Sequence, residues 1–438
     1  MELYKDKKVS SIRHCFNVFL VFLYIFMIRV CGAVDTSIIA GVVSIFLLLF
    51  NYQAINYCVR ILLSDRLQKI YFLYFCLTFW IICVVGVLGT GDYSFLRPLI
   101  HGLLQIMIGI IIYVYFSSKK TEKYTTTYII ISFVIQAIVE WLAMISPMVK
   151  AFVYSTKDTK TIRIADQYGG IRGLSLSGSS FFGLALAFGF VYILFFSEKN
   201  LLFKKYTVCR YLIFGLLVTG TFFAGRTGLV SLPIIMFYFV VTNRKYKRNF
   251  TIRKTTIIGT ITFLVACILA TIFLGDAFGF SDALLVRLGY LKNFIFEFWI
   301  SFMNGNGFAT SSSTHMFKDM YFKMPFFTLL FGDGWYTVKT GYYMSTDVGV
   351  MRPILYMGIP GLIMLFLIQK QILELGDGIE KKIYFVLWIY LIIAQLKGEA
   401  IGFSLLVINI LTLYSLSPMS HVDNNNGGSS MKDKASSY

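Results

Sequence analysis

Charge is what this chain has least of. Asp, Glu, Lys and Arg together make up 14% of its 438 residues, against about 25% in an ordinary water-soluble domain. That shortfall excludes a sizeable soluble domain. Histidine is scarce too: His14, His101, His315 and His421 form no cluster with the spacing of metal ligands. The cysteines (Cys15, Cys31, Cys58, Cys76, Cys83, Cys209 and Cys267) include no CxxC pair, and none lies in the long polar stretches. A disulfide framework and a thiolate metal centre are therefore not expected. A phosphate-cradling glycine loop of the Walker type is also missing, so neither cofactor nor metal enters the reading.

What is present is apolar sequence. Hydrophobic residues reach 57%, and the mean hydropathy is +0.72. A helix that crosses a bilayer needs about 20 residues. Candidate segments of that kind are 15–34, 37–57, 69–88, 94–116, 127–147, 179–197, 208–225, 227–242, 255–274, 349–369, 383–396 and 401–417. The expected fold is an all-α polytopic membrane protein of about twelve transmembrane helices. Residues 1–417 form one membrane-embedded domain, and 418–438 form a disordered tail rich in Asn, Gly and Ser. The basic N-terminal flank lacks a clear small-residue cleavage site and is read as leading into a retained first span.

The formal net charge of +18 would suggest nucleic acid in a soluble protein. Here the basic residues gather in short loops, such as Arg60 to Lys69, Lys119 to Lys123, Lys199 to Arg210 and Arg244 to Lys254. Cytoplasmic loops carry that bias, so both termini are expected in the cytoplasm and no nucleic-acid partner is expected. Residues 208–242 are too long for one span and short for two. Two arms of about 17 residues reach only roughly 26 Å of a roughly 30 Å apolar layer. The turn Gly225-Arg226-Thr227-Gly228 should then sit below the outer surface, with Arg226 recessed in the bundle or lining a cavity.

Two outer loops are long, 148–178 and 275–348, and elaborate loops tend to carry function. The first places Lys150, Lys157, Lys160, Arg163 and Arg172 against Asp158 and Asp166. Positive charge is normally depleted on that side, so the excess suits either anionic headgroups or an anionic ligand. Arg172 stands amid glycines, where a planar fork of donors can approach a phosphate closely. The second loop holds an apolar stretch from Val286 to Met303 with Arg287, Lys292 and Glu297, suited to a helix along the interface. Its last part, Thr346-Asp347-Val348-Gly349-Val350-Met351-Arg352-Pro353, leads into a span. There Asp347 either caps the helix, pairs with Arg352, or meets substrate. His315 is the outer-loop group best suited to proton transfer near neutral pH. Glu140 is either a buried acid or a partner for an arginine such as Arg226. Asp92 and Arg97 read as a cap and an anchor at another outer helix start.

Several motifs together resemble the O-antigen polymerases of the Wzy type, within the wider group of O-antigen polymerases and ligases. They are Phe223-Ala224-Gly225-Arg226-Thr227-Gly228, Leu330-Phe331-Gly332-Asp333-Gly334, Thr346-Asp347-Val348-Gly349 and Gly358-Ile359-Pro360-Gly361. Arg172 followed by ten residues and Gly183 also fits an R-x10-G pattern of such enzymes; the second loop departs from it, with Phe298 eleven positions after Arg287. The resemblance implies a GT-C-like glycosyltransferase of the bacterial inner membrane. It would join oligosaccharide units carried on undecaprenyl diphosphate at the periplasmic face, among membrane lipids, with a flippase and a chain-length regulator as partners. Arg172, Arg226, Arg287 and Arg352 would stabilise the departing diphosphate, with Arg163 a weaker candidate. His315, Asp333, Asp347 and Glu140 are the candidate bases. An O-antigen ligase shares these features, and a flippase or transporter is the reading from another class, although it would call for more polar spans and shorter loops.

Overall fold

The computed structural model describes residues 11–30, 34–167, 170–196, 207–242, 282–305, 314–339 and 341–418. Helix dominates. In chain order the helices are α1 (Ser11–Phe26), α2 (Thr36–Leu49), α3 (Tyr52–Leu62), α4 (Asp65–Leu88), α5 (Leu96–Ser118), α6 (Thr125–Ile145), α7 (Pro147–Ser155) and α8 (Thr159–Gln167). They continue with α9 (Phe181–Phe196), α10 (Thr207–Ala224), α11 (Ser231–Thr242), α12 (Asp282–Met303), α13 (Phe326–Phe331), α14 (Met351–Leu373), α15 (Lys381–Gln395) and α16 (Leu405–Leu416). Sheet among the described residues is limited to two antiparallel ladders, β1 (Arg29–Val30) with β2 (Val34–Asp35) and β3 (Thr337–Val338) with β4 (Gly341–Tyr342).

Among the described residues, four helical stretches are long and apolar enough to cross a membrane: Asp65–Leu88, Leu96–Ser118, Glu122–Ile145 and Met351–Leu373. Shorter apolar helices pack among them. Some expected spans have different limits. The segment 15–34 is helical only to Phe26, after which the chain turns through the β1–β2 ladder. The segment 37–57 breaks at Asn51, whose side chain accepts the Ala54 N–H and starts a new helix. The candidate span 255–274 lies outside the described residues.

Helix α9 is the centre. It is apolar all round, and every residue from Gly183 to Phe195 is buried, as expected for a helix enclosed on all sides. It packs against α6, α10, α11, α15 and α16. Side chains bond across this interior: the Asn409 amide donates to the Tyr24 carbonyl at 2.8 Å, and Tyr24 Oη donates to the Gln105 carbonyl at 2.8 Å. Helix α4 instead turns Phe72, Phe75 and Phe79 outward, an apolar face suited to lipid.

Helix α14 is broken inside its apolar run. Gly358 has φ 70° and ψ −179°, and Pro360 follows. Proline has no N–H, so the Tyr356 carbonyl loses its helical donor. A buried carbonyl needs another partner, and the second long loop supplies it. Gly334 N–H donates to Tyr356 O at 3.2 Å, Asp333 N–H to Leu355 O at 2.6 Å, and Trp80 Nε1 to Met357 O at 2.8 Å. The loop comes close enough because both sides are glycine at the contact. A β-carbon on Gly332 would collide with the main chain of Tyr356 and Met357, and one on Gly358 with Leu330.

Asp92, after α4, ties down the next part of the same loop. Its carboxylate accepts the N–H groups of Tyr336 (2.6 Å), Thr337 (2.9 Å) and Ser94 (3.0 Å). Burial alone would raise its pKa, but these donors hold the carboxyl below its usual range. The stability it adds is therefore present above the unfolded value of about 3.9 and is lost as pH falls through the lower folded value. Asp92→Ala should cost about 1–3 kcal/mol at pH 7. In thermal melts of the detergent-solubilised protein, the gap to wild type should narrow on acidification.

Candidate functional site

A cavity of about 520 Å³ opens among the short segments that join helices at one end of the bundle. Its wall draws on the strand of chain leading into α9, the α10–α11 turn, the start of α14 and the α15–α16 connection. Each segment is held by main-chain bonds. Gly178 N–H donates to Phe26 O at 3.0 Å. At the α10–α11 turn, Gly225 has φ 155° and Arg226 opens a short 3-10 turn, so the arginine is set inward, its side chain 21% exposed.

The α15–α16 connection depends on two glutamines. Gln395 Nε2 donates to Gly349 O, while its Oε1 accepts from Ala400 and Ile401 N–H, both at 2.8 Å. Gln369 Oε1 accepts from Gly402 N–H at 3.1 Å. One short loop thereby presents Lys397, Glu399 and Ser404 to the cavity.

Arg172, Arg226, Arg352 and Lys397 face the cavity, against Asp347 and Glu399. These charges are not equivalent. Arg352 forms a buried ion pair with Glu399 at 2.5 Å, and Tyr336 Oη donates to the same carboxylate at 2.6 Å. The Arg352 guanidinium lies between two tyrosine rings, 4.0 Å from the centroid of Tyr336 and 3.8 Å from that of Tyr342. That is a neutralised, aromatically clamped strut. Arg226 pairs with Glu297 of α12 at 2.6 Å.

Lys397 is under strain from like charge. Desolvation lowers its pKa first, and Arg226 and Arg172 lower it further, while Asp347 and Glu297 pull the other way. The Asp347 side chain sits at the exposed rim. The protein around its carboxyl nonetheless desolvates it and raises its pKa, against the influence of Arg352, Lys397 and His315.

The expected site residues thus divide. Arg172, Arg226, Arg352 and Asp347 come together on one cavity. Asp347 does not cap α14, whose N-cap position is Val350. Glu140 is fully buried within α6, accepts from Gln136 at 3.2 Å, and is neither on the cavity nor paired with Arg226. Asp333 does not line the cavity either: it accepts from Thr328 Oγ1 at 2.6 Å and uses its N–H to satisfy α14. His315 is exposed, bonded to Asp319 at 2.5 Å, and off the cavity wall. Arg287 falls on α12 with its side chain outside the described residues, and Arg163 is exposed on α8. Among the described residues, no group of His, Cys, Asp and Glu is placed to hold a metal.

Lys397, Glu399 and Glu297 were not singled out as site residues by sequence reasoning. Glu399 had a signal: an acidic residue between two apolar helices needs a buried cation or water. The chain matches no family model, no curated protein and no solved structure.

Arg352→Ala would leave Glu399 buried without its cation. It should destabilise the protein by about 3–5 kcal/mol, and adding Glu399→Gln should recover part of the loss. Unfolding followed by tryptophan fluorescence in detergent measures both.

Proposed function

We propose that this chain is a lipid-linked oligosaccharide polymerase of the O-antigen type, GT-C-like, with about twelve spans and both termini cytoplasmic. Its donor and acceptor are oligosaccharide units on undecaprenyl diphosphate. The observation that carries the reading is the cavity shared by Arg172, Arg226 and Lys397, where cations crowd although each raises the energy of the others. A cluster of that kind favours an anion of more than one charge. Its position among helix ends, beside helices apolar enough to span a bilayer, suits an anion carried on a lipid.

The proposed reaction is a glycosyl transfer. The acceptor sugar hydroxyl attacks the anomeric carbon of the donor chain. The new glycosidic bond forms as the bond from carbon to diphosphate oxygen breaks, and the diphosphate leaves with the electron pair. Charge grows on that oxygen in the transition state, and fixed cations lower its energy more there than in the ground state. The acceptor proton passes to a base. Of the four acid–base candidates in the sequence, Asp347 alone lines the cavity, and its raised pKa makes the carboxylate a stronger base. Arg352 holds the wall through Glu399 and the two tyrosines. The lipid chain would lie in the bilayer, and a flippase and a chain-length regulator would act before and beside it.

Deleting the gene in its bacterial host and running lipopolysaccharide on a gel tests the reading. A polymerase mutant keeps a single repeat unit on the core, a ligase mutant shows bare core, and a flippase mutant loses even the single unit. An unaltered ladder sinks the proposal. Arg226→Ala, present at normal level, should cut polymer formation about a hundredfold or more. With purified protein and lipid-linked substrate, the rate should fall on acidification, with a limb displaced above the ordinary aspartate value of about 3.9. Asp347→Asn should abolish that limb along with most of the activity.

A further inference from the structure

Ser404 occupies the N-cap position of α16, yet its side chain makes no capping bond. Its hydroxyl is buried at the cavity wall without a partner, and the residue is 6% exposed. An N-cap serine ordinarily accepts an N–H from the first turn. Here the first turn of α16 is left with its donors and the hydroxyl is left idle. The main-chain bond is in place, since Ile408 N–H donates to Ser404 O at 3.0 Å, so the helix start itself is well formed.

The same hydroxyl abuts the start of a second helix. A β-carbon on Gly183, in the first turn of α9, would lie 3.3 Å from Ser404 Oγ and 3.2 Å from Ser180 Oγ. Ser180 caps α9 by accepting the Gly183 N–H at 3.1 Å. Ser180, Phe181, Phe182 and Gly183 line the cavity alongside Ser404 and Leu405. Two helix starts therefore open on one space, each with first-turn N–H groups that no helical carbonyl can satisfy. Their dipoles add positive potential there. Arg352, which also lines the cavity, has its Nε buried without a hydrogen-bond partner, in a side chain 8% exposed. Glu399 lines the cavity too; its Oε2 is committed to Arg352 and Tyr336, and its Oε1 is buried without a hydrogen-bond partner, its charge countered by Arg352.

We propose that the paired starts of α9 and α16, with the Ser404 hydroxyl as donor, form a phosphate cradle in this cavity, beneath the Arg172, Arg226 and Lys397 cations. Helix starts and hydroxyls bind phosphate oxygens through short, directed bonds, while arginine and lysine supply charge around them. The ligand class is a di- or monophosphate ester. In the light of the proposed function, on which this assignment rests, it is the diphosphate headgroup, and the cradle holds it both before and after the sugar leaves. A glycine at 183 fits the role, because a side chain there would fill the space between the two starts.

The test uses the full chain in lipid nanodiscs. Binding of inorganic pyrophosphate and of geranyl diphosphate is measured by calorimetry for wild type, Ser404→Ala and Ser404→Thr. Wild type should bind geranyl diphosphate. Binding of pyrophosphate as well means that phosphate chemistry alone suffices, and its absence means that the cradle takes lipid-borne phosphate. Ser404→Ala should weaken binding about tenfold or more, the loss of one hydrogen bond to a charged group. Its melting temperature should stay at the wild-type value, since the hydroxyl makes no bond within the protein. Ser404→Thr should restore binding. Equal affinity of Ser404→Ala and wild type, or no binding of either ligand by wild type, overturns the cradle. Binding that depends on Ser404 in a protein whose deletion leaves the polysaccharide ladder intact sinks the polymerase reading and leaves the cradle standing.

Discussion

The main-chain carbonyls freed where α14 breaks are the constraint from which the site follows. In an apolar interior such groups are costly unless bonded. The break at Gly358 and Pro360 leaves them exposed in the middle of a 23-residue helix. The Gly332-Asp333-Gly334 turn and Trp80 supply the missing donors. Once that turn is docked, Tyr336 is delivered to Asp92 on one side and to Glu399 on the other. Glu399 then holds Arg352, and Arg352 holds Tyr336 and Tyr342 by their ring faces. A defect in helix geometry thus becomes the anchor for one wall of the cavity.

Electrostatically the cavity has two kinds of cation. Arg352 is matched charge for charge by Glu399 and adds shape rather than field. Arg172, Arg226 and Lys397 bring cations near one another, with Glu297 behind Arg226 and Asp347 at the rim set against them. Interactions with Lys397 are stronger than in bulk water because the surrounding protein desolvates it. An arriving anion relieves that repulsion, so a site of this kind gains affinity from the strain it carries when empty.

Much of this arrangement was legible in the sequence, and the reasons are physical. The recessed position of Arg226 followed from the short arms of 208–242, because span length is a hard constraint. Arg172, Arg352 and Asp347 were marked by glycines and by charge next to apolar runs. Lys397 and Glu399 were harder to see, since a nine-residue connection shows no periodicity and its partners lie far along the chain: Tyr336 is 63 residues from Glu399, and Arg352 is 47. Asp333 misled in an instructive way. Its side chain suggested a base, whereas the Gly-Asp-Gly run serves through its main-chain N–H groups. The break at Asn51 was readable as a helix cap, but the apolar run around it argued for continuity. Glu140 looked like a partner for an arginine because acids inside a bundle usually need a cation, and the structure gives it the Gln136 amide and the charge of Lys157 instead.

The docking of the second loop onto α14 also bears on inheritance. The bonds at Leu355 and Tyr356 join main-chain groups on both sides, and the Trp80 indole of α4 holds the Met357 carbonyl. Only the glycines and the proline are fixed by shape. Side chains elsewhere along the loop are free to drift while the hold persists. Substitutions along the loop away from these glycines, Tyr336 and Tyr342 can therefore leave the docking onto α14 in place.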